Sequence, residues 1–282
     1  MQLLPRLKKT ILLLVLLFLY NNALSIDINS DNIKELNSIF SKKNCDLILI
    51  DYFVTCYDYD RKSPSAIYTK IEGKKVSKDG IKKRPSFYTD NRIPKGFEST
   101  TRDYTNSGYD RGHFGASDAS FDWNKDALNS TYKMSNIVPQ TPKTNRYKYI
   151  SLEKYEREMA EKYGSLETIS LAFWDNDPEI IGTNKIHVPS SFAKIFVSNT
   201  GYKECFFIWN DEDYDDINGK DPKFYEKNCD EVFKMFKKTV GKKIVFSGAD
   251  KTELIKLLKI YRKTELNAEQ LKSIKTILNK LQ

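Results

Sequence analysis

One of the two histidines in this 282-residue chain lies in a short run of residues that can carry out acid–base chemistry. His113 ends the run YDRGH, in which a carboxylate, a guanidinium and an imidazole stand within four residues of one another. An imidazole has an ordinary pKa of about 6.5 and can accept a proton near neutral pH, and glycine allows close backbone approach. This run predicts a general base. His187, in KIHVPSSF, is interpreted as a structural histidine.

A second group of polar residues follows in the segments SNIVPQ and TNRYKYISLEKYER. Asn145 comes nine residues after Asn136, and Glu153 comes eight residues after Asn145. On a regular helix of about 3.6 residues per turn, Glu153 lies about 80° around the axis from Asn145, so both can face one cleft. Arg157 lies one turn further on. Taken alone, Glu153 and Arg157 form an ordinary surface ion pair, and Asn145 is a solvent-facing residue.

Together these motifs resemble the DNA/RNA non-specific endonucleases, which belong to the ββα-metal (His-Me finger) nucleases and are related to endonuclease G. The resemblance is carried by DRGH, by SNIVPQ, by the Asn five residues after its Gln, and by LE eight residues after that Asn. DRGH alone is a weak signal, but several motifs in order are specific. The similarity extends from about Cys45 to about Phe246. It implies an α+β fold, the ββα-metal nuclease fold, with a central, mainly antiparallel sheet flanked by helices.

The resemblance implies a role for each of these residues. His113 corresponds to the general base that activates water, with a backbone carbonyl expected to orient its ring. Asn145 corresponds to the family's single protein ligand to a metal ion, through its amide oxygen. Mg²⁺, a hard ion that keeps several of its waters, suits such a site, and Mn²⁺ is an alternative. Glu153 supports the waters around the ion, and Arg157 adds positive charge near the phosphate.

Two further cations are placed near the scissile phosphate. Guanidinium groups bind phosphate oxygens in bidentate fashion and offset negative charge in a transition state. Arg111, within DRGH, is the first of them. Arg84 is the second, and it comes from the family-like run KKRPSFYTDNRIP. Lys83 and Arg92 in the same run are alternatives to Arg84.

Other polar residues near these motifs receive supporting or structural roles. Asp110 and Asn136 are placed behind the site as supporting residues, with a purely structural turn role as the alternative for Asn136. Asp118, Asp122 and Asp126 recur every four residues and superficially resemble a metal cluster. They lack the EF-hand pattern, so the interpretation is a solvated acidic loop.

Five runs of β-branched and aromatic residues predict the strands that must position these residues. The runs are LILIDYFVTCYDY, SAIYTKI, TISLAFW, KIFVS and ECFFIW. One long helix is predicted from Thr141 to Gly164, with Pro142 in its first turn and glycine as its stop. It is amphipathic and is expected to pack on the sheet through the apolar residues Leu152, Tyr155 and Met159.

The N-terminal residues predict a secretory signal peptide over residues 1–25. Three basic residues precede an unbroken apolar run over residues 11–20. Two asparagines end this run short of the roughly 20 apolar residues that a membrane span requires. We expect a mature chain that begins near Ile26, is exported to the periplasm or the exterior, and has no stable membrane insertion after cleavage. An uncleaved anchor is the alternative.

The mature chain is expected to contain a nuclease domain over residues 26–247 and a helical extension over residues 248–282. Within the extension, Asp250 with Glu253 and Asn267 with Gln270 form two capping boxes, which predict a C-terminal helical hairpin. Its lysines are interpreted as a solvated surface rather than phosphate contacts. A role of the hairpin in dimerisation stays open, and so does the oligomeric state.

The four cysteines of an exported chain are expected to form disulfides. Four cysteines can pair in three ways. Cys45 with Cys56 is favoured because the pair flanks the β-rich run LILIDYFVT. Cys205 with Cys229 is favoured because the pair brackets the acidic loop NDEDYDD. Four buried free thiols are the alternative.

The charge of the chain is compatible with a polyanionic partner without requiring one. Its formal net charge is +8, of which three charges lie in the leader, so the mature chain keeps +5. With the motifs, this predicts a Mg²⁺-dependent endonuclease that cuts DNA and RNA to 5′-phosphate ends. The alternatives are an exported nucleic-acid-binding protein that has lost catalysis, and a secreted toxin with an inhibitor protein as partner.

Overall fold

The structure, a computed structural model, describes residues 45–50, 52–76 and 80–240 of the chain. In these ranges the chain forms ten strands, which are β1 (Asp46–Ile50), β2 (Phe53–Asp58), β3 (Ser63–Glu72), β4 (Asp110–His113), β5 (Ile137–Gln140), β6 (Ser165–Phe173), β7 (Ile180–Ile181), β8 (Ile186–His187), β9 (Ser191–Val197) and β10 (Lys203–Trp209). The α-helices are α1 (Asp118–Phe121), α2 (Lys125–Thr131), α3 (Ile150–Tyr163) and α4 (Cys229–Val240). The architecture is α+β.

Six of the strands form an antiparallel sheet in the order β1-β2-β3-β6-β9-β10. All five sequence runs predicted as strands lie in this sheet, so the prediction of a mainly antiparallel sheet is confirmed. The first run, LILIDYFVTCYDY, is not one strand but the paired strands β1 and β2. Along β9, every residue is buried. Both faces of the sheet are therefore covered at β9.

Helix α3 packs on this sheet as its amphipathic pattern predicted. Leu152 is fully buried, and Tyr155 and Met159 pack half-buried against the same core. The helix ends at Gly164, whose φ of 80° favours glycine. Gly73 allows the end of β3 to approach the helix, because a Cβ at that position would lie 2.3 Å from the carbonyl oxygen of Ala160.

The predicted helix from Thr141 to Gly164 is not regular along its whole length, because residues Thr144–Tyr149 form a π-helix. Side chains of this segment are tied to the chain after β10. The hydroxyl of Thr144 donates to the carbonyls of Trp209 and Asp211, at 3.1 Å each, and the ammonium of Lys148 donates to the same two carbonyls. The angle of about 80° expected between Asn145 and Glu153 assumed a regular helix and does not apply across this segment.

Several short elements escaped the sequence analysis. β4 and β5 form a separate antiparallel pair, as do β7 and β8. β4 and β5 have four residues each, and β7 and β8 have two each. Strands of this length are too short to display an alternating pattern of apolar and polar residues. Helix α4 also was not predicted.

Both favoured disulfides are present. Cys45 is bonded to Cys56 across β1 and β2, and Cys205 in β10 is bonded to Cys229 at the start of α4. All four sulfurs are therefore paired, and the alternative of free thiols is wrong.

The predicted signal peptide over residues 1–25 and the predicted hairpin over residues 248–282 lie outside the described residues. The boundaries of a domain over residues 26–247 stay predictions. Among the helices that the structure describes, none is long and apolar enough to cross a membrane.

Candidate active site

The strand pair β4–β5 places DRGH directly against SNIVPQ. Asp110 is opposite Gln140, and His113 is opposite Ile137. Gly112 permits this arrangement, because a Cβ at that position would lie 2.0 Å from the side-chain oxygen of Gln140. A residue other than glycine would therefore push the buried glutamine aside and distort the strand that carries His113.

A pocket of about 390 Å³ opens between this strand pair and the helical segment that follows β5. Its lining combines one imidazole, one amide, three carboxyl groups and one guanidinium with two apolar side chains. The lining residues are Phe87, Asp110, Arg111, His113, Asp118, Asn145, Ile150 and Glu153. Five of the eight residues predicted at the site thus line one pocket. Arg84, Asn136 and Arg157 do not line it.

The ring of His113 is held by aromatic side chains. It lies 4.9 Å, edge-on, from the ring of Tyr132 and 5.5 Å from that of Phe87, measured between ring centroids. Nε2 is buried and has no hydrogen-bond partner among the described residues. The expectation that a backbone carbonyl orients this ring is therefore wrong for this structure. Nδ1 is the ring nitrogen left to contact a water molecule in the pocket.

Burial lowers the pKa of His113 to about 4. The Asp118 carboxylate opposes this shift and the Arg84 guanidinium adds to it. A buried imidazole loses hydration that its charged form needs, so the neutral form is favoured. At neutral pH, His113 is therefore unprotonated and able to accept a proton.

This pKa predicts that the protein loses stability as the pH falls from about 6.5 to about 4. In that window the unfolded chain binds a proton at His113 and the folded chain does not, so the free energy of unfolding rises with pH. At about 1.4 kcal/mol per pKa unit, the contribution of His113 is on the order of 1–3 kcal/mol. Urea unfolding at several pH values should show this dependence reduced by that amount in His113→Gln.

The comparison for that measurement is His187→Gln. Burial lowers the pKa of His187 as well, but by less than that of His113, so this variant should change the pH dependence in the same direction and by a smaller amount. A stability difference between wild type and His113→Gln that stays constant from about pH 6.5 to about 4 would contradict the assigned shift.

Asn145 is positioned by a carboxylate that is itself held by an arginine. The Asn145 amide nitrogen donates to Asp110 at 3.0 Å, and Arg146 grips both oxygens of Asp110 at 2.8 and 2.9 Å. The hydrogen bonds from Arg146 lower the pKa of Asp110. Because the amide nitrogen is engaged, the amide oxygen of Asn145 is the atom available to a cation.

Glu153 lies half-buried at the pocket, and burial raises its pKa to about 8. Lys194 and Arg157 oppose this shift, while the carboxylates of Glu156 and Asp118 add to it. A cation bound in the pocket would favour the charged form of Glu153. No ion pair joins Glu153 to Arg157 in the ranges that the structure describes, so the simple surface pair expected from their spacing is absent.

The interpretation of the Asp-rich segment as a solvated loop is wrong. Asp118 begins α1, forms an ion pair with Arg84 at 3.0 Å and accepts a hydrogen bond from the Tyr132 hydroxyl at 2.9 Å. Asp122 is buried and lies 3.2 Å from a second nitrogen of Arg84. Asp126 alone is exposed, in the first turn of α2. Asp118 and Asp122 therefore both form ion pairs with Arg84 beside the pocket.

Arg84 contacts the pocket lining through its ion pair with Asp118. Its alternative Arg92 pairs with buried Asp90, which also accepts a hydrogen bond from Ser135. Arg111 is itself part of the lining, and its guanidinium carbon lies 5.2 Å from the centroid of the Phe87 ring.

Asn136 is fully buried and fixes the turn after His113. Its amide oxygen accepts from the backbone nitrogens of Gly115 and Ala116, and its amide nitrogen donates to the carbonyls of Ala116 and Thr131. All the hydrogen-bonding capacity of the amide is thus used by backbone. The supporting role and the structural role that the sequence left open coincide in this residue.

Five residues at or around the pocket were not predicted for it, and one of them, Ile150, lies within the predicted long helix. Arg146 follows Asn145 directly, and that adjacency was the available signal. Phe87 lies in the same run as Arg84. Asp118 was interpreted as part of a solvated loop. Tyr132 has no local signal in the sequence, because only the fold brings its ring to His113.

The donor set fits a hard divalent cation. Within the part of the chain described by the structure, no three His, Cys, Asp or Glu side chains are grouped to hold a metal ion. The pocket instead offers the amide oxygen of Asn145 with the carboxyl of Glu153 nearby. Oxygen ligands and a largely hydrated shell are what Mg²⁺ prefers.

Fold and pocket together define the class of this protein. A strand carrying His113, a strand paired with it and a helical segment carrying Asn145 form the ββα unit beside an antiparallel sheet, which is the ββα-metal fold. A profile of the DNA/RNA non-specific endonuclease family matches residues 35–241. The chain belongs to this family.

Individual proteins to which the chain is similar are also nucleases by name. The chain is 28% identical over 155 residues to the mitochondrial endonuclease G of Homo sapiens, covering 51% of this chain and 52% of that protein. It is 31% identical over 161 residues to the mitochondrial nuclease of Saccharomyces cerevisiae, covering 52% and 48%. The chain thus spans about half the length of the curated relatives it matches.

A solved structure shares the fold. The crystal structure of an EndoG/EndoGI complex, described as showing the mechanism of EndoG inhibition, matches with a TM-score of 0.61 at 22% identity. The match covers 77% of this chain and 92% of that one. At this identity the likeness concerns the fold.

Proposed function

We propose that this protein is an exported, Mg²⁺-dependent endonuclease that hydrolyses phosphodiester bonds of DNA and RNA without sequence preference. The observation that carries the proposal is that a neutral imidazole and an amide oxygen line one pocket together with a guanidinium. Membership of the DNA/RNA non-specific endonuclease family supports it. The curated relatives, which are matched over about half their length, are named as nucleases.

His113 is the proposed general base. Its Nδ1 accepts a proton from the attacking water as the water oxygen bonds to phosphorus and the bond from phosphorus to the 3′ oxygen breaks. The leaving 3′ oxygen takes a proton from a second water molecule in the pocket, so the products carry a 5′-phosphate and a 3′-hydroxyl. The attack needs no contact to a base edge, which accounts for cleavage without sequence preference.

The other residues position the substrate and offset its charge. The Asn145 amide oxygen would hold Mg²⁺, which when bound neutralises phosphate charge and lowers the pKa of water. Asp110 fixes the Asn145 amide, and Glu153 accepts hydrogen bonds from water in the pocket. Arg111 faces the phosphate directly, while Arg84 and Arg157 add positive charge from the edge of the pocket.

A cleavage assay tests this proposal. Purified protein incubated with plasmid DNA or with RNA is expected to degrade both in Mg²⁺, and Mn²⁺ is expected to substitute. EDTA should abolish the reaction. The fragments should accept label from a polynucleotide kinase only after phosphatase treatment, because their 5′ ends carry phosphate. Binding without cleavage under all these conditions would establish the non-catalytic alternative instead.

Export to the periplasm or the exterior is proposed on two grounds. Two disulfides form in the structure, and such bonds persist in oxidising compartments. The cationic and apolar character of the first 20 residues is typical of a secretory leader. The curated relatives are named as mitochondrial, so the two placements differ. Cell fractionation with N-terminal sequencing decides, and a start near Ile26 outside the cytoplasm is expected.

An inhibitor protein is proposed as a further partner. The solved structure with the same fold is that of EndoG bound to EndoGI. A nuclease without sequence preference endangers the cell that makes it unless it is blocked or exported. Purification of this chain from its source with a tightly bound protein that suppresses cleavage would support the proposal, and active protein recovered without one would contradict it.

A further inference from the structure

An aromatic and cationic surface continues from the pocket along the segment that carries Asn145. Ile150 lines the pocket and is 54% exposed, and three residues before it the Tyr147 side chain is 44% exposed. The ammonium of Lys143 lies 5.0 Å from the centroid of the Tyr147 ring. The surface beside the pocket is therefore formed by a flat ring and a cation.

A second tyrosine from a distant part of the chain completes this surface. The ring of Tyr214 lies 4.9 Å from that of Tyr147, with 35° between the ring planes. Lys143 also lies 5.8 Å from the centroid of the Tyr214 ring. We refer to Lys143, Tyr147 and Tyr214 as the tyrosine platform.

Buried contacts join the two segments that carry the rings of the platform. Lys148 forms an ion pair with Asp211, and the Thr141 hydroxyl donates to the carbonyl of Asp211 at 2.7 Å. Lys148 is 4% exposed and Thr141 is buried. These contacts hold the segment with Tyr214 against the segment with Tyr147, so the two rings are positioned before any ligand arrives.

The segment that carries Tyr214 places more negative charge beside the platform than Lys143 places positive charge on it. Residues 211–216 carry five carboxylates. Asp211 is neutralised by Lys148, and Asp215 accepts hydrogen bonds from the turn that follows it. Asp213 and Asp216 form no ion pair within the described ranges. A phosphate is repelled here, whereas an uncharged aromatic base is not.

We propose that the tyrosine platform stacks an unpaired nucleobase next to the phosphate that is cut. The inference rests on the proposed nuclease function and specifies its substrate. A base inside a duplex already stacks on both neighbours, so only a single-stranded or displaced base can occupy the ring of Tyr147. The protein therefore prefers single-stranded segments over duplex of the same length.

Binding by the inactive variant His113→Ala in Mg²⁺ tests the platform. The probes are a single-stranded oligonucleotide of about 12 residues containing 2-aminopurine and the corresponding duplex. Tyr147→Ala added to His113→Ala should weaken single-strand binding by about 5- to 150-fold, the range for loss of one base–aromatic stack. Fluorescence quenching of 2-aminopurine should disappear with it, and duplex binding should change by less than about twofold.

Two further variants serve as controls for this test. Tyr147→Trp keeps an aromatic face and should retain both affinity and quenching. Phe97→Ala removes a ring of similar exposure, 42%, that packs on Tyr59 and does not line the pocket. It should leave binding unchanged. Thermal unfolding of each variant confirms that the exposed substitutions leave the fold intact.

Neutralising the acidic neighbours tests the exclusion of phosphate. Asp213→Asn with Asp216→Asn should strengthen duplex binding and reduce the preference for single strands, most clearly at low salt.

The outcomes separate failure of this inference from failure of the proposed function. Equal loss of single-strand and duplex binding in Tyr147→Ala, or no loss beyond that of Phe97→Ala, overturns the platform while the nuclease proposal stands. Absence of any nucleic-acid binding by His113→Ala, together with absence of cleavage by the wild type, overturns both.

Discussion

Replacement of His113 by alanine is expected to lower the rate of DNA cleavage by about 10²- to 10⁴-fold, the usual contribution of a positioned general base. Nε2 is enclosed, so Nδ1 is the ring nitrogen that serves the pocket, and the variant offers no substitute for it. Single-turnover cleavage of a short oligonucleotide at saturating Mg²⁺ measures the effect. His187→Ala is the matched control, and a similar loss in both variants would exclude a specific role for His113.

The pH dependence of the same reaction gives an independent check. Because burial lowers the pKa of His113 to about 4, the imidazole stays neutral well below its ordinary titration range. Cleavage by the wild type should therefore stay near its full rate at pH 6.5 and decline only in more acidic solution, with a midpoint near pH 4. A midpoint at about pH 6.5 or above would show that the bound state restores an ordinary imidazole.

Replacement of Lys194 by methionine is expected to lower the free energy of unfolding by about 3–5 kcal/mol, the usual result of leaving one partner of a buried ion pair alone. Lys194 in β9 and Glu156 in α3 are 1% and 0% exposed, with 3.1 Å between nitrogen and oxygen. Without the ammonium, Glu156 must ionise in an apolar interior or take up a proton. Urea unfolding near neutral pH measures the loss.

The double variant Lys194→Met with Glu156→Leu should recover most of that stability, because no buried charge remains. Lys154→Met is the control for the charge change itself. It removes a pair whose side chains are 73% and 51% exposed, and such pairs contribute about 0–1 kcal/mol. A Lys194→Met variant no less stable than Lys154→Met would show that the buried pair contributes little.

The antiparallel sheet, both disulfides and the packing of α3 were predictable because each leaves a local signal. Runs of β-branched and aromatic residues mark the strands, and apolar spacing marks the face that carries Leu152. These signals depend on residues close together in the chain. The family motifs extended them by specifying residues that meet at one pocket, and the structure brings His113, Asn145 and Glu153 to it.

What could not be predicted depends on contacts between distant segments. The ring of Tyr132 reaches His113 through the fold, and the pairing of Arg84 with Asp118 and Asp122 joins residues more than 30 positions apart. In the sequence, Asp118 and Asp122 show only a recurrence every four residues, which was interpreted as a solvated loop. The burial that shifts the pKa of His113 is likewise a property of the assembled pocket, and composition gives no sign of it.

The π-helix at Thr144–Tyr149 sets how the site responds to a change in the length of this segment. A π-helical turn accommodates a residue that a regular helix does not, and such turns are frequent at functional sites. Removal of one residue between Asn145 and Glu153 would let the turn close into a continuous α-helix with little change in the angle between these two residues. Addition of one residue would instead rotate Asn145 by about 100° relative to Glu153. Gain of one codon would therefore be more damaging to the site here than loss of one.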